Sequence, residues 1–321
     1  MLLILFLSTF FLFLGFVLLI KGAGLLVDGA SSIAGKMKIS EIVIGLTIVS
    51  FGTSVPELVI NIFSSIQDKS GFAFGNIIGS NIINTLLILG VAGVIFPIKT
   101  EKNTVWKEIP FSFLAVVVLL ILCNDTIIKG DSDVLSRFDG IILLLLFILF
   151  ITYNFFLPKV EIRDKPDIKS LSSAKSLVFV ILGIVGLSFG GNLVVNSSID
   201  IAKEFNLSER MIGLTILAIG TSLPELFTSA VAAYKGKSDI AIGNVVGSNV
   251  FNIFLVLGIS AFIRSLQFDP VINIDLSILL IASFLLFITM FTGKKRTLDR
   301  WEAVIFIVLY FVYFLFLIIR K

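Results

Sequence analysis

Two short stretches hold most of the chemistry in this chain: GTSVPE, from Gly52 to Glu57, and GTSLPE, from Gly220 to Glu225, 168 positions later. On a helix, Thr47, Ser50, Ser54 and Glu57 stand three or four residues apart and line one face, as do Thr215, Ala218, Ser222 and Glu225. Two further stretches, GNIIGSNIIN from Gly75 and GNVVGSNVFN from Gly243, put Asn76, Ser80 and Asn84 on one stripe and Asn244, Ser248 and Asn252 on another. Pro56 and Pro224 each precede a glutamate. Proline has no N–H and its ring crowds the carbonyl four residues back, which frees carbonyls near Gly52 and Gly220 from the helix ladder. The two carboxylates, four amides, hydroxyls such as Thr53, Ser54 and Ser80, and freed carbonyls are all hard oxygen donors. That is the preference of Ca²⁺, which takes about six to eight oxygens, and Na⁺ also favours oxygen. Two negative charges would balance one Ca²⁺.

These residues sit in a chain composed for lipid. It is 57% hydrophobic and 15% charged, against about 25% charged in an ordinary soluble domain. A helix needs about 20 apolar residues to cross a hydrocarbon core. The 321 residues divide into about ten such spans, at 2–21, 40–66, 72–95, 108–123, 138–156, 175–200, 208–234, 240–262, 272–291 and 301–319. The expected fold is an all-α polytopic membrane protein. The longest polar connection, 158–174, is too short to fold alone. The first span has no basic segment before it and no small-residue cleavage site after it, so it is expected to be a retained helix.

The motifs belong to a longer duplication. IGLTIVSFGTSVPE (Ile44 to Glu57) matches IGLTILAIGTSLPE (Ile212 to Glu225), and GNIIGSNIINTLLILG (Gly75 to Gly90) matches GNVVGSNVFNIFLVLG (Gly243 to Gly258), always at an offset of 168. The chain therefore reads as a first five-helix repeat at 1–157, a short cytoplasmic linker at 158–174 and a second repeat at 175–321. Five is odd, so the second repeat enters the membrane from the opposite side and the repeats are inverted. Inverted repeats with helices interrupted at matching positions, here helices 2, 3, 7 and 8, point to a secondary transporter with its site near the midplane. Gly75, Gly79, Gly243 and Gly247 fit either an opening in helices 3 and 8 or a close approach between helices. A duplication that serves packing alone would not need polar residues inside both copies.

An ionised carboxylate at the bilayer centre costs about 3 kcal/mol or more, so Glu57 and Glu225 should share their site with a cation or a proton. The other reading, a structural ion pair with a buried base, lacks a partner, because only Lys21 lies near a span interior. Lys21 is expected to snorkel, and Asp28, Asn192 and Asn196 to reach water near span ends. The chain has no histidine and one cysteine, Cys123, which removes zinc sites, Cys/His nucleophiles and disulfides. Connections one, three, five, seven and nine contain sixteen Lys and Arg residues against eight on the other side, which places both termini outside the cytoplasm. Phenylalanine-rich runs such as STFFLFLGF, from Ser8, read as lipid-facing bulk and not as a nucleic-acid platform.

The paired motifs GTSVPE…GNIIGSN and GTSLPE…GNVVGSN resemble the two alpha-repeats of the cation/Ca²⁺ exchanger superfamily, and most of all its prokaryotic sodium/calcium exchangers. The resemblance covers nearly the whole chain. It implies an antiporter, not an enzyme, that exchanges Na⁺ for Ca²⁺ at three to one and hence electrogenically; the expected location is the plasma membrane, with the termini extracellular by the bias of basic residues. Its site lies between helices 2, 3, 7 and 8, and helices 1 and 6 slide across that core. By position, Glu57 and Glu225 would ligate both ions. Thr53, Ser54, Ser80, Thr221, Ser222 and Ser248 would add hydroxyl or carbonyl oxygens, Ser50 and Ala218 carbonyls, and Asn84 and Asn252 the centre. No cofactor is implied beyond the transported ions. Some relatives carry aspartate where this chain has Asn252; asparagine there is associated with K⁺-independent exchange. The Ca²⁺-sensing insertion of animal members does not fit within 158–174.

The nearest alternative is a Ca²⁺/H⁺ antiporter, since a glutamate can release Ca²⁺ by taking a proton; the hydroxyl pair in GTS-x-PE favours sodium. A channel would need a ring of acids from symmetric subunits, and an intramembrane hydrolase a catalytic dyad. One chain contains both halves of the site, so a monomer could suffice.

Overall fold

The computed structural model describes residues 2–125, 133–156, 171–205 and 218–320. The linker segment 157–170 and the first half of the expected seventh span, 206–217, lie outside them. Among the described residues, eight helices are long and apolar enough to cross a membrane, or nine when one bent pair counts as a single span.

Helix α1 (Leu2–Met37) is 36 residues long, which at about 1.5 Å per residue is about 54 Å and well beyond the expected 2–21. Lys21 did not end it, because its side chain points outward from an otherwise apolar and small-residue helix. The stop comes at Lys38, whose φ of 54° no helix accommodates. Helix α6 (Ser173–Glu204) is its counterpart, with 32 residues and an N-cap in which Ser172 accepts from the Lys175 amide. The two pack along most of their length through glycines spaced by seven. A Cβ on Gly15 would stand 2.9 Å from the Gly190 carbonyl, and one on Gly183 would stand 2.6 Å from the Leu26 nitrogen. In lipid such backbone approach is what lets helices associate. Asp28 thus lies within α1, and it is not simply hydrated: it pairs with Lys235 at 2.6 Å.

Helix α2 comprises two limbs, Glu41–Thr53 and Val55–Ile66, bent by 50°. Helix α3 (Ser70–Ile95) and α4 (Thr104–Cys123) follow, then α5 (Arg137–Phe156). In the second half, α7 has a short piece, Ala218–Gly220, and a second limb, Leu223–Tyr234. Helices α8 (Ser238–Ile263), α9 (Pro270–Thr289) and α10 (Arg300–Ile319) complete the chain. The expected interruptions are found in α2 and α7. Helices α3 and α8 instead run through without a break, and their ladders widen into π-helical turns at Ile83–Ile88 and Phe251–Leu257. Of their most apolar stretches 78% is buried, against 28% in α5, α9 and α10, so α3 and α8 form the centre and the others face lipid.

Two small strand pairs mark the two faces. β1 (Ile98–Lys99) pairs with β4 (Thr297–Leu298), and β2 (Val134–Leu135) with β3 (Leu266–Gln267). β1 and β3 stand at the repeat offset, 266 − 98 = 168. The first pair lies on the face where α3 ends and α4 begins. The second lies where α8 ends and α9 begins, beside the start of α3, where the Ser70 hydroxyl accepts from the Gln267 amide at 3.2 Å.

Candidate functional site

Helices α2 and α7 both break at a Thr-Ser pair. Ser54 and Ser222 leave the helical conformation, with ψ of 7° and 6°, and each new limb opens with proline in its first turn. There the missing N–H has no intrahelical acceptor to lose. Glu57 and Glu225 follow at once, in the first turn of their limbs, where the exposed amides and the helix dipole favour negative charge. Each is only 1% exposed.

The halves cross over at this point. The Ser54 hydroxyl of the first half donates to Oε1 of Glu225 in the second at 3.1 Å. Thr221 in turn lies beside the Glu57 carboxyl, close enough to Glu225 for the two charges to act on each other. Thr53 and Ser248 also lie beside Glu225. Thr53 donates to Asn244 Oδ1 at 3.0 Å, and Asn244 donates to the Glu225 carbonyl at 3.3 Å and to Ser229 at 2.9 Å. On the matching stripe, Asn76 donates to Asn61 at 2.8 Å. Asn61 and Ser229 hold these amides, and the sequence reading did not single them out although they stand 168 apart.

Asn84 and Asn252 stand in the two widened turns, facing each other's helices. Asn84 donates to Asn249 Oδ1 at 3.2 Å and Asn252 to Asn81 Oδ1 at 2.9 Å. Asn81 donates to the Asn249 carbonyl at 3.2 Å, and Asn249 to Thr85 at 2.9 Å. This crossed network occupies the amide nitrogens of Asn84 and Asn252 and leaves their oxygens without a protein partner. The sequence reading missed Asn81 and Asn249 too. Their signal was present, since each is the last residue of GSN in both motifs.

Several other buried oxygens also have no hydrogen-bond partner: both of Glu57, Oε2 of Glu225, and the hydroxyls of Ser222 and Ser248. Ser80 is 2% exposed, and Thr221 half-buried. Buried polar atoms are rarely left unpaired. Ionised carboxylate and amide oxygens only accept, and hard oxygens of this kind are the ligands that suit Na⁺ and Ca²⁺.

The remaining predicted residues behave differently. Thr47 and Ser50 turn their hydroxyls back to carbonyls of their own helix, at 2.6 Å to Val43 and 2.8 Å to Leu46. The Ser50 carbonyl accepts from the Ser54 amide at 3.0 Å. In the second half the Ser222 amide donates to the Ile219 carbonyl at 3.1 Å. Gly243 and Gly247 serve close approach: a Cβ on Gly247 would stand 2.8 Å from the Leu46 carbonyl. Thr215 lies outside the described residues.

The family described as sodium/calcium exchanger protein matches residues 7–156 and 175–319. The sodium/calcium exchanger MaX1 of Methanosarcina acetivorans is 32% identical over 93% of this chain and 95% of its own. The inner membrane protein YrbG of Escherichia coli is 36% identical over 87% of each. Among solved structures, the sodium-calcium exchanger NCX_Mj superposes with a TM-score of 0.83 at 33% identity, covering 96% of this chain and 98% of that one. A helical membrane core with a buried set of hard oxygens and these matches along its whole length identify the chain as a member of the sodium/calcium exchanger family.

Proposed function

We propose that this protein is a Na⁺/Ca²⁺ antiporter whose ions alternate at one site shared by its two halves. The observation that supports it best is the cluster of buried, unpartnered oxygens on Glu57, Glu225, Asn84, Asn252, Ser222 and Ser248. Glu57 and Glu225 bind Ca²⁺ and Na⁺ in turn. Thr53, Ser54, Ser80 and Thr221 add oxygens around them, with the carbonyls of Ser50 and Ala218 at the edge. Two carboxylates neutralise one Ca²⁺, and their mutual repulsion keeps the site from standing empty.

Alternating access follows from the inverted halves, 1–157 and 175–321, when α1 and α6 slide as one glycine-packed unit across the core of α2, α3, α7 and α8. Three Na⁺ per Ca²⁺ makes the cycle electrogenic. With Asn252 in place of a third carboxylate the exchange needs no K⁺. The protein resides in the plasma membrane with both termini extracellular, and a monomer suffices.

The test is ⁴⁵Ca²⁺ uptake into proteoliposomes loaded with Na⁺, with K⁺ or with acidic buffer. Uptake driven by the Na⁺ gradient, unchanged by K⁺ and accelerated by an inside-positive potential that Na⁺ exit would relieve, supports the proposal. Uptake driven by the proton gradient alone replaces it with Ca²⁺/H⁺ exchange.

A further inference from the structure

Glu108 lies in the second turn of α4, 1% exposed, and neither of its carboxylate oxygens has a hydrogen-bond partner. One turn earlier, Thr104 is fully buried and its hydroxyl is likewise unpartnered. The adjacent cation, Lys107, acts on the carboxylate only through space: it is exposed and lies over the Tyr153 ring at 5.8 Å. The other charged groups acting on Glu108 are Glu101 and Asp239, both acidic. A buried carboxylate with no donor is the kind of group that a membrane protein keeps for ions.

Near the same place in the second half stands Asp275, though not as its repeat mate: at the offset of 168 Glu108 matches Leu276 and Asp275 matches Lys107. Each occupies the start of the fourth helix of its half, and the two are on opposite faces of the membrane. Asp275 has a different setting. It lines a cavity of about 240 Å³ between α3, α9 and α10, which reaches along α3 past Asn76 and Gly79 to Ser80. Arg320 donates to both Asp275 oxygens at 3.1 Å, and Tyr313 donates to Oδ1 at 3.1 Å. On the Glu108 face, the residues matching Asn76, Gly79 and Ser80 are Asn244, Gly247 and Ser248, and Gly247 is covered by Leu46 and Ser50 of α2.

We infer that Asp275 and Glu108 are the vestibule carboxylates of the two faces, each binding the incoming Na⁺ or Ca²⁺ when its own face is open. Asp275 borders an approach to Ser80 that has room for a hydrated ion, while Glu108 is sealed at the start of α4. Arg320 is a tethered cation that an arriving ion displaces. The inference rests on the alternating exchange proposed above and adds to it a carboxylate outside the central site on each face.

The experiment measures ⁴⁵Ca²⁺ transport in right-side-out and inside-out membrane vesicles, varying Ca²⁺ on one face at a time. Glu108→Gln should raise the KM for Ca²⁺ on the α4-start face about tenfold, the lower end of what a charge-lined cleft does to local ion concentration, and leave the other face unchanged. Asp275→Asn should do the reverse. If Glu108→Gln does not accumulate, Glu108→Asp should give a smaller shift confined to the same face. Equal shifts on both faces, a change in maximal rate alone or no change would overturn the inference. Wild-type vesicles without Na⁺-coupled Ca²⁺ transport would overturn the parent proposal instead.

Discussion

The Asn252 side-chain nitrogen donates to Asn81 Oδ1 at 2.9 Å, and its repeat mate Asn84 donates to Asn249, the repeat mate of Asn81, at 3.2 Å. Each half thus sets the orientation of the other half's central amide. With the nitrogens engaged, the oxygens of Asn84 and Asn252 are left buried and without a partner. Replacing Asn81 or Asn249 by leucine removes that constraint and lets the amide turn its nitrogen toward the ion. We expect a loss of about 1–2 kcal/mol of Ca²⁺ binding, typical of a buried hydrogen bond left unmade, read by equilibrium ⁴⁵Ca²⁺ binding. Asn81→Asp keeps the acceptor and should retain the hydrogen bond to Asn252.

Thr53 ties α2 to α8 through Asn244. Thr53→Val keeps the shape but strands the Asn244 oxygen in a buried position, which costs about 1–3 kcal/mol. Thermal unfolding in detergent should fall for Thr53→Val and recover in Thr53→Ser.

The α1–α6 seam tolerates no side chain at its closest points. A Cβ on Gly183 would stand 2.6 Å from a backbone nitrogen and 2.8 Å from the Gly22 carbonyl. Gly183→Val should separate the helices and abolish transport. Gly24→Ala, whose Cβ would meet only the flexible end of Lys235 at 3.8 Å, should transport normally.

The Asp28–Lys235 pair should matter little. Its side chains are 53% and 31% exposed, and such pairs contribute about 0–1 kcal/mol. Asp28→Asn should leave stability and the KM for Ca²⁺ within that range, measured beside Thr53→Val.

The glutamates and their stripes were legible in the sequence because a bilayer makes polar residues conspicuous, and the offset of 168 repeats them. Asn81 and Asn249 escaped because they stand one position off the four-residue stripe through Ser80 and Ser248. They face the partner half and not the site, and no single repeat contains that contact. The lengths of α1 and α6 escaped for a different reason. Lys21 and the polar residues after it suggest the edge of the membrane, whereas the glycine spacing of seven continues the helix pair past it. Pro56 and Pro224 correctly announced breaks in α2 and α7. The glycines of α3 and α8 did not, because these helices absorb their irregularity as widened turns and Gly243 and Gly247 serve contact with α2.

If Glu57 and Glu225 together hold one Ca²⁺ that Na⁺ displaces, equilibrium ⁴⁵Ca²⁺ binding to the purified protein, titrated with Na⁺, will show it for wild type, Glu57→Gln and Glu225→Gln. We expect one Ca²⁺ per wild-type chain, released as Na⁺ rises, and at least a hundredfold weaker binding in either variant, about 3 kcal/mol for a buried charge removed from its partner. Ca²⁺ bound with wild-type affinity by both variants would contradict it.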